Sequence, residues 1–143
     1  MPTMTLYNHS RLRFANGANA AADTYKVKLL TAATFNATHT TLAATGGTEV
    51  ANGNGYTTGG ATLTGVAFST FSTTGARFDA DDATWNASGG SITARYAIVY
   101  NDTDADDPPV AFIDFDEDRT AVDGMPFVLR WSADGIVTFV APA

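Results

Sequence analysis

Threonine, glycine, asparagine and aspartate dominate the positions between the apolar residues of this chain, and that choice restricts its fold more than any other feature. All four are poor interior residues for a helix, whereas the Thr, Val, Ile, Phe and Tyr around them favour strands. Where apolar residues recur regularly they do so at every second position, the period of a half-buried strand. The expected class is therefore all-β. With 143 residues, 45% of them apolar, the chain has the size and the material for one core.

The strands follow from the alternation. Residues 23–30 place Tyr25, Val27 and Leu29 on one face and Lys26 and Lys28 on the other. Residues 62–71 read as a strand with a bulge near Gly65, and 76–80 and 83–87 as two short strands parted by Asp81-Asp82. In 92–100, Ile92, Ala94, Tyr96, Ile98 and Tyr100 share one face, and the opposite face turns apolar at Ala97 and Val99, so this strand is expected to be covered on both sides towards its end. Pro108-Pro109 leads into a strand over 110–116. Residues 127–132 and 136–140 read as a hairpin closed by Ser132-Ala133-Asp134-Gly135. About eight strands at this spacing predict a single-domain antiparallel β-sandwich or jelly roll. One short helix is expected over 36–44, with Asn36 as its cap and Gly46-Gly47 as its stop. Residues 1–15 read as an N-terminal arm or edge strand, 16–143 as the sandwich, and the Gly-rich stretch 45–60 as a long loop.

Fifteen acidic against eight basic residues give a net charge of −7, which opposes the phosphate contacts of nucleic-acid binding. No cysteine is present, so disulfides and thiolate chemistry are excluded. No window approaches the length of a membrane span and no targeting segment is recognisable, so neither nucleic acid nor membrane is an expected partner.

Eight of the fifteen acids lie between residues 102 and 118. Asp102, Asp104, Asp106 and Asp107 resemble the alternating oxygen ligands of a calcium loop, which makes them the candidate Ca²⁺ ligands. The tract lacks the Gly and Glu that complete such a loop and is flanked by strands, which favours a solvated connection whose aspartates serve turns and sheet edges. Asp79, Asp81 and Asp82 are read in the same way. His9 and His39 have no partner at ligand spacing, no nucleophile elbow is present, and the glycines of 53–60 come without a phosphate-binding lysine. No catalytic residue is assigned, and the protein is expected not to be an enzyme. Trp85, Trp131, Tyr96 and Tyr100 are candidates for stacking on sugar rings, with core packing the alternative that their apolar alternation favours.

Several segments resemble small virion structural proteins of tailed bacteriophages: Leu6-Tyr7-Asn8-His9 with Phe14-Ala15-Asn16-Gly17, Thr34-Phe35-Asn36-Ala37-Thr38-His39, 53–60, 94–102, and Trp131-Ser132-Ala133-Asp134-Gly135-Ile136. The resemblance implies a β-rich capsid decoration (cement) protein, often a trimer, that binds the major capsid protein or other virion proteins and needs no active site. Tail-fibre, baseplate or head-fibre components are the alternative places in a particle, and a carbohydrate-binding module is the alternative of another class. Under the virion reading the protein assembles in the host cytoplasm. Its contact surfaces are expected at the arm, with Leu6, Tyr7, Arg11, Arg13 and Phe14, and at the loop carrying Asn54 and Tyr56.

Overall fold

A computed structural model of the chain describes residues 2–71 and 75–140. The elements in order are β1 (Thr3–Leu6), α1 (Asn8–Ala15), β2 (Tyr25–Ala32), α2 (Leu42–Thr45), β3 (Thr48–Glu49), β4 (Ala61–Thr62), β5 (Ala67–Phe71), β6 (Gly75–Asp79), β7 (Ala83–Asn86), β8 (Ile92–Asn101), β9 (Pro109–Ala121), β10 (Pro126–Leu129) and β11 (Val137–Val140). The fold is all-β and every strand pairing is antiparallel. A six-stranded sheet runs β1-β9-β8-β2-β3, with β4 also on β2; β10-β7 and β11-β6-β5 form two smaller sheets.

The main core lies between the large sheet and the two small ones. Tyr25, Val27 and Leu29 of β2, Ala97 and Val99 of β8, and Ala111, Ile113 and Phe115 of β9 meet Phe78, Trp85, Phe127, Leu129 and Val137. Thus β2 uses the face its alternation predicts. On the other side of the large sheet Tyr7, Leu30, Ile98 and Phe112 make a second cluster, roofed by Ala33, Phe35 and Leu42. Ala97–Asn101 is buried throughout, as expected for a strand covered on both faces.

The single face predicted for 92–100 does not survive. Ile92 and Ala94 join the main core, but so do Ala97 and Val99, while Tyr96 and Ile98 go to the second cluster. The cause is a bulge: Ala94 faces Arg119 and Tyr96 faces Asp114, so Arg95 alone stands against residues 115–118. Such an irregularity moves every later side chain to the other face. Asp116, at φ 71°, provides the bend and lets β9 continue to Ala121, beyond the predicted 110–116.

The predicted terminal hairpin is also corrected. β10 pairs with β7 and β11 with β6, not with each other. Leu129 stands opposite Ala83 and Val137 opposite Phe78, so residues 130–136 face only residues 79–82. The Ser132–Gly135 turn does form, with Gly135 N–H donating to Ser132 O at 2.9 Å, but it absorbs surplus residues inside one bent ribbon and does not reverse the chain. Tight-turn residues specify a turn and leave open which ladders flank it.

Two helices replace the one expected. The Asn36 side chain caps a local turn through Thr38 N–H and Oγ1, at 3.0 and 2.8 Å, instead of a helix. The helix starts only at α2, where Thr41 Oγ1 accepts from Ala44 N–H, and Gly46 and Gly47 end it at positive φ as predicted. Segment 62–71 is broken at Gly65, whose φ is +66°, so β4 and β5 belong to different sheets. Of residues 1–15, with residue 1 outside the described set, Thr3–Leu6 is an edge strand on β9 and the rest is α1. The spacing Tyr7, Ser10, Phe14 is the helical signal there: all three turn toward the fold, and Ser10 is fully buried.

Gly60 is fixed by two constraints at once. Its φ is +87°, and a Cβ would stand 1.9 Å from Val27 O on β2. Gly60→Ala should therefore lower stability by about 2–4 kcal/mol, read as a reduced urea midpoint at unchanged m-value.

Candidate functional site

The acidic loop between β8 and β9 is clasped onto the fold from several sides. Asn101, fully buried, donates to Asn19 Oδ1 at 3.0 Å and Asp23 Oδ2 at 2.9 Å and accepts from Thr103 N–H. Asp102 approaches Lys26 at 3.7 Å, Asp104 pairs with Arg13 of α1 at 3.2 Å, and Asp106 O accepts from Leu42 N–H at the start of α2. Of the four candidate calcium ligands, Asp102 and Asp104 are thus turned to different cations, while Asp107 stands beside Asp102. Among the described residues no group of three or more His, Asp or Glu side chains gathers closely enough to hold a metal ion. Two of the alternating carboxylates fasten the loop to β2 and α1, and the Asp106 backbone fastens it to α2.

Titratable groups do meet beside this loop. Glu49 Oε1 accepts from Tyr56 Oη and from Gly59 N–H, both at 2.7 Å, and Tyr56 Oη accepts from Leu29 N–H at 3.0 Å. Burial, then the bond to Glu49, holds the Tyr56 phenol far above its ordinary value. Lys28 shares a polar groove with Glu49, Asp106 and Asp107, and burial lowers its pKa against the opposing pull of Glu49. Asp107 is raised, first by burial and next by Asp102. A lysine and a carboxyl moved toward neutrality in one groove are what general acid–base chemistry requires. Here, however, Tyr56 and Glu49 are tied to the backbone that positions the 53–60 loop, the signature of a structural bracket.

The predicted contact residues fare differently. Tyr7 and Tyr56 are 1% and 2% exposed, so their side chains are core and are not available to a partner. Tyr7 stacks on Phe35 at 5.0 Å, and burial pushes its phenol up to about 12. Arg13 is taken by Asp104 and Asn19. Asn54 sits at φ 55° in an exposed turn, Leu6 is half-buried, and Arg11 is exposed and donates to Asn8 Oδ1 at 3.4 Å. Of the aromatic candidates for sugar stacking, Trp85 and Tyr100 are buried, whereas Tyr96 and Trp131 reach the surface. Trp131 lines an open groove of about 540 Å³ with Met4, Phe115, Phe127, Arg119 and Arg130.

The feature that sequence reasoning missed is the β5-β6-β11 sheet. One of its faces carries Phe68, Phe78, Val137 and Phe139, and Phe14 of α1 stands against it at 6.0, 5.3 and 5.3 Å from Phe68, Phe78 and Phe139. Phe78 and Val137 are shut inside, but Phe68 and Phe139 remain 41% and 37% exposed and Val140 56%. The sheet therefore begins in the core and runs out of it, with a half-covered aromatic face and, among the described residues, two unpaired edges. The signal was present in Ala67-Phe68-Ser69-Thr70-Phe71 and Val137-Thr138-Phe139-Val140, which contain no charge, but the hairpin reading had paired the second with the wrong strand.

Compared with known proteins, the chain matches no protein family, no curated protein and no solved structure.

Because native Asp107 holds its proton more tightly than the unfolded chain does, protonation favours folding. That contribution is complete below the ordinary carboxyl range and is lost as pH rises through the raised native value. Asp107→Asn should raise the melting temperature at about pH 7 and lose that advantage at about pH 3, where the native carboxyl is neutral as well.

Proposed function

We propose that this protein is a structural component of a tailed-bacteriophage particle, a head decoration protein that binds the outer shell and acts by contact, without catalysis. The observation that carries the reading is the projecting β5-β6-β11 sheet, with half-exposed Phe68 and Phe139 and free edges on both sides. A surface of that kind suits addition to another protein's sheet or apolar groove, where backbone bonds supply affinity and the aromatic rings supply anchors. The resemblance of the sequence to small virion proteins supports the same reading. Binding through several copies at once would multiply a modest single-site affinity, as a shell of repeated sites requires.

Purified protein added to shells that lack it should bind and raise their disruption temperature, and Phe139→Asp should weaken that binding at least about tenfold. Absence from shells, together with capture on isolated tails, would move the protein to a fibre or baseplate. Failure to bind any part of the particle would remove the proposal.

One observation favours a second reading. Trp131 half-exposes its ring over the groove that also holds Arg119 and Arg130, while its Nε1 is fixed by Asp81 O at 2.9 Å. A pre-oriented indole beside guanidinium groups is a platform for a sugar ring. A carbohydrate-binding module should show glycan-induced fluorescence changes that Trp131→Ala abolishes.

A further inference from the structure

Charge is divided unevenly along the chain. The first 78 residues hold five basic and two acidic side chains, a net of +3, and the rest hold three basic and thirteen acidic, a net of −10. At one end the fold turns this division into a spatial one. α1, β5, β6 and β11 carry Arg11, Arg13, Arg77 and a single acid, Asp79, which lies opposite Ala67 where β6 leaves toward the body. Arg13 is paired with Asp104, but among the described residues no carboxylate stands within ion-pair distance of Arg11 or Arg77. Arg11 lines a groove with Phe14, Phe139 and Val140, and Arg77 stands between Ser69 and Thr138 on the opposite face of the sheet, donating to Ser69 Oγ at 3.2 Å and to Ala133 O at 2.8 Å in the turn that carries exposed Asp134.

The edges of this sheet are unguarded. Soluble proteins protect exposed edges with lysine, proline, bulges or very short strands. β5 and β11 have regular registers and neither a charge nor a proline. An edge of this kind accepts a strand, and the rings beside it accept apolar side chains.

The complementary surface is on the same chain. Asp118 and Asp123 are exposed at the end of β9 and in the turn after it, beside Val122 and Met125, which are 58% and 54% exposed. Two like ends face to face would bring Arg11 and Arg77 against their own copies, whereas end against body brings them to carboxylates. We propose that the cationic aromatic end of one copy docks on the acidic, Val122–Met125 side of a second copy, so that the chains associate head to tail. Such a contact joins two different patches, and its rotation decides between a closed ring and a filament. The inference goes beyond the virion reading and does not require it.

Sedimentation velocity of the full chain at about 100 µM in about 50 mM salt should show species larger than the 14.9 kDa monomer, and raising salt to about 0.5 M should weaken association about tenfold. Arg11→Glu with Arg77→Glu should be monomeric, with a lower melting temperature because Arg77 also bonds Ser69 and Ala133 O. Arg11→Glu alone should weaken association at an unchanged melting temperature, and mixing the double variant with Asp118→Lys/Asp123→Lys should restore association. Val140→Lys, which guards one edge without touching the core, should also weaken assembly. A monomeric wild-type chain, or assembly unaffected by the double arginine variant or strengthened by salt, would overturn the proposal. A monomer that still coats shells would overturn this inference alone, whereas an oligomer that ignores every part of the particle would overturn the virion reading alone.

Discussion

Both faces of β8 between Ala97 and Asn101 are closed to water, and a strand so placed must satisfy all its backbone groups within the protein. β2 and β9 do this on its two sides, and the remaining architecture is arranged around the three. The small sheets cover one face, and the segment after β2 covers the other. At the strand's end the constraint passes to a side chain: buried Asn101 has its amide satisfied by Asn19 and Asp23, which fixes the chain after α1 and, through Thr103, the first turn of the acidic loop. Losing one partner of such a buried network leaves the others unpaired, at about 1–3 kcal/mol per group.

The same arrangement gives two of the acids around residues 102–107 a positional role. Lys26 and Arg13 lie on either side of the loop, and each draws one carboxylate toward itself. Exposed ion pairs contribute little stability individually. Their effect here is positional, because they hold a loop against α1 and β2 that mutual repulsion would otherwise lift away. With the acids drawn into the body, the β5-β6-β11 end is left with its arginines and its phenylalanines, the polarity on which the proposed contacts depend.

What the sequence made legible was local. The alternation of β2, the burial of β8, Pro109 at the start of β9, and the glycines ending α2 are each decided by neighbours within a few residues, and each was readable. What escaped was set by distant partners. The bulge at Arg95 exists because residues 115–118 need room on β9, and nothing in 92–100 announces it. The Asp134-Gly135 turn has the residues of a hairpin, yet the ladders to β7 and β6 take the strands on either side of it. Tyr7 and Tyr56 are expected as contact residues because they lie in the N-terminal arm and in the Gly-rich loop. Their rings are buried by segments far off in the chain, Phe35 over one and Trp85 beside the other.

The excursion at residues 130–136 has a mechanical meaning. It lets β10 keep its register on β7 and β11 its register on β6 although residues 130–136 stand against only residues 79–82. The surplus is itself fastened: Trp131 donates from its backbone N–H to Asp82 and from Nε1 to Asp81 O, Arg77 donates to Ala133 O, and Ile136 N–H donates to Phe78 O. A stretch so attached works as a clip, tying the start of β11 to the chain that joins β6 to β7.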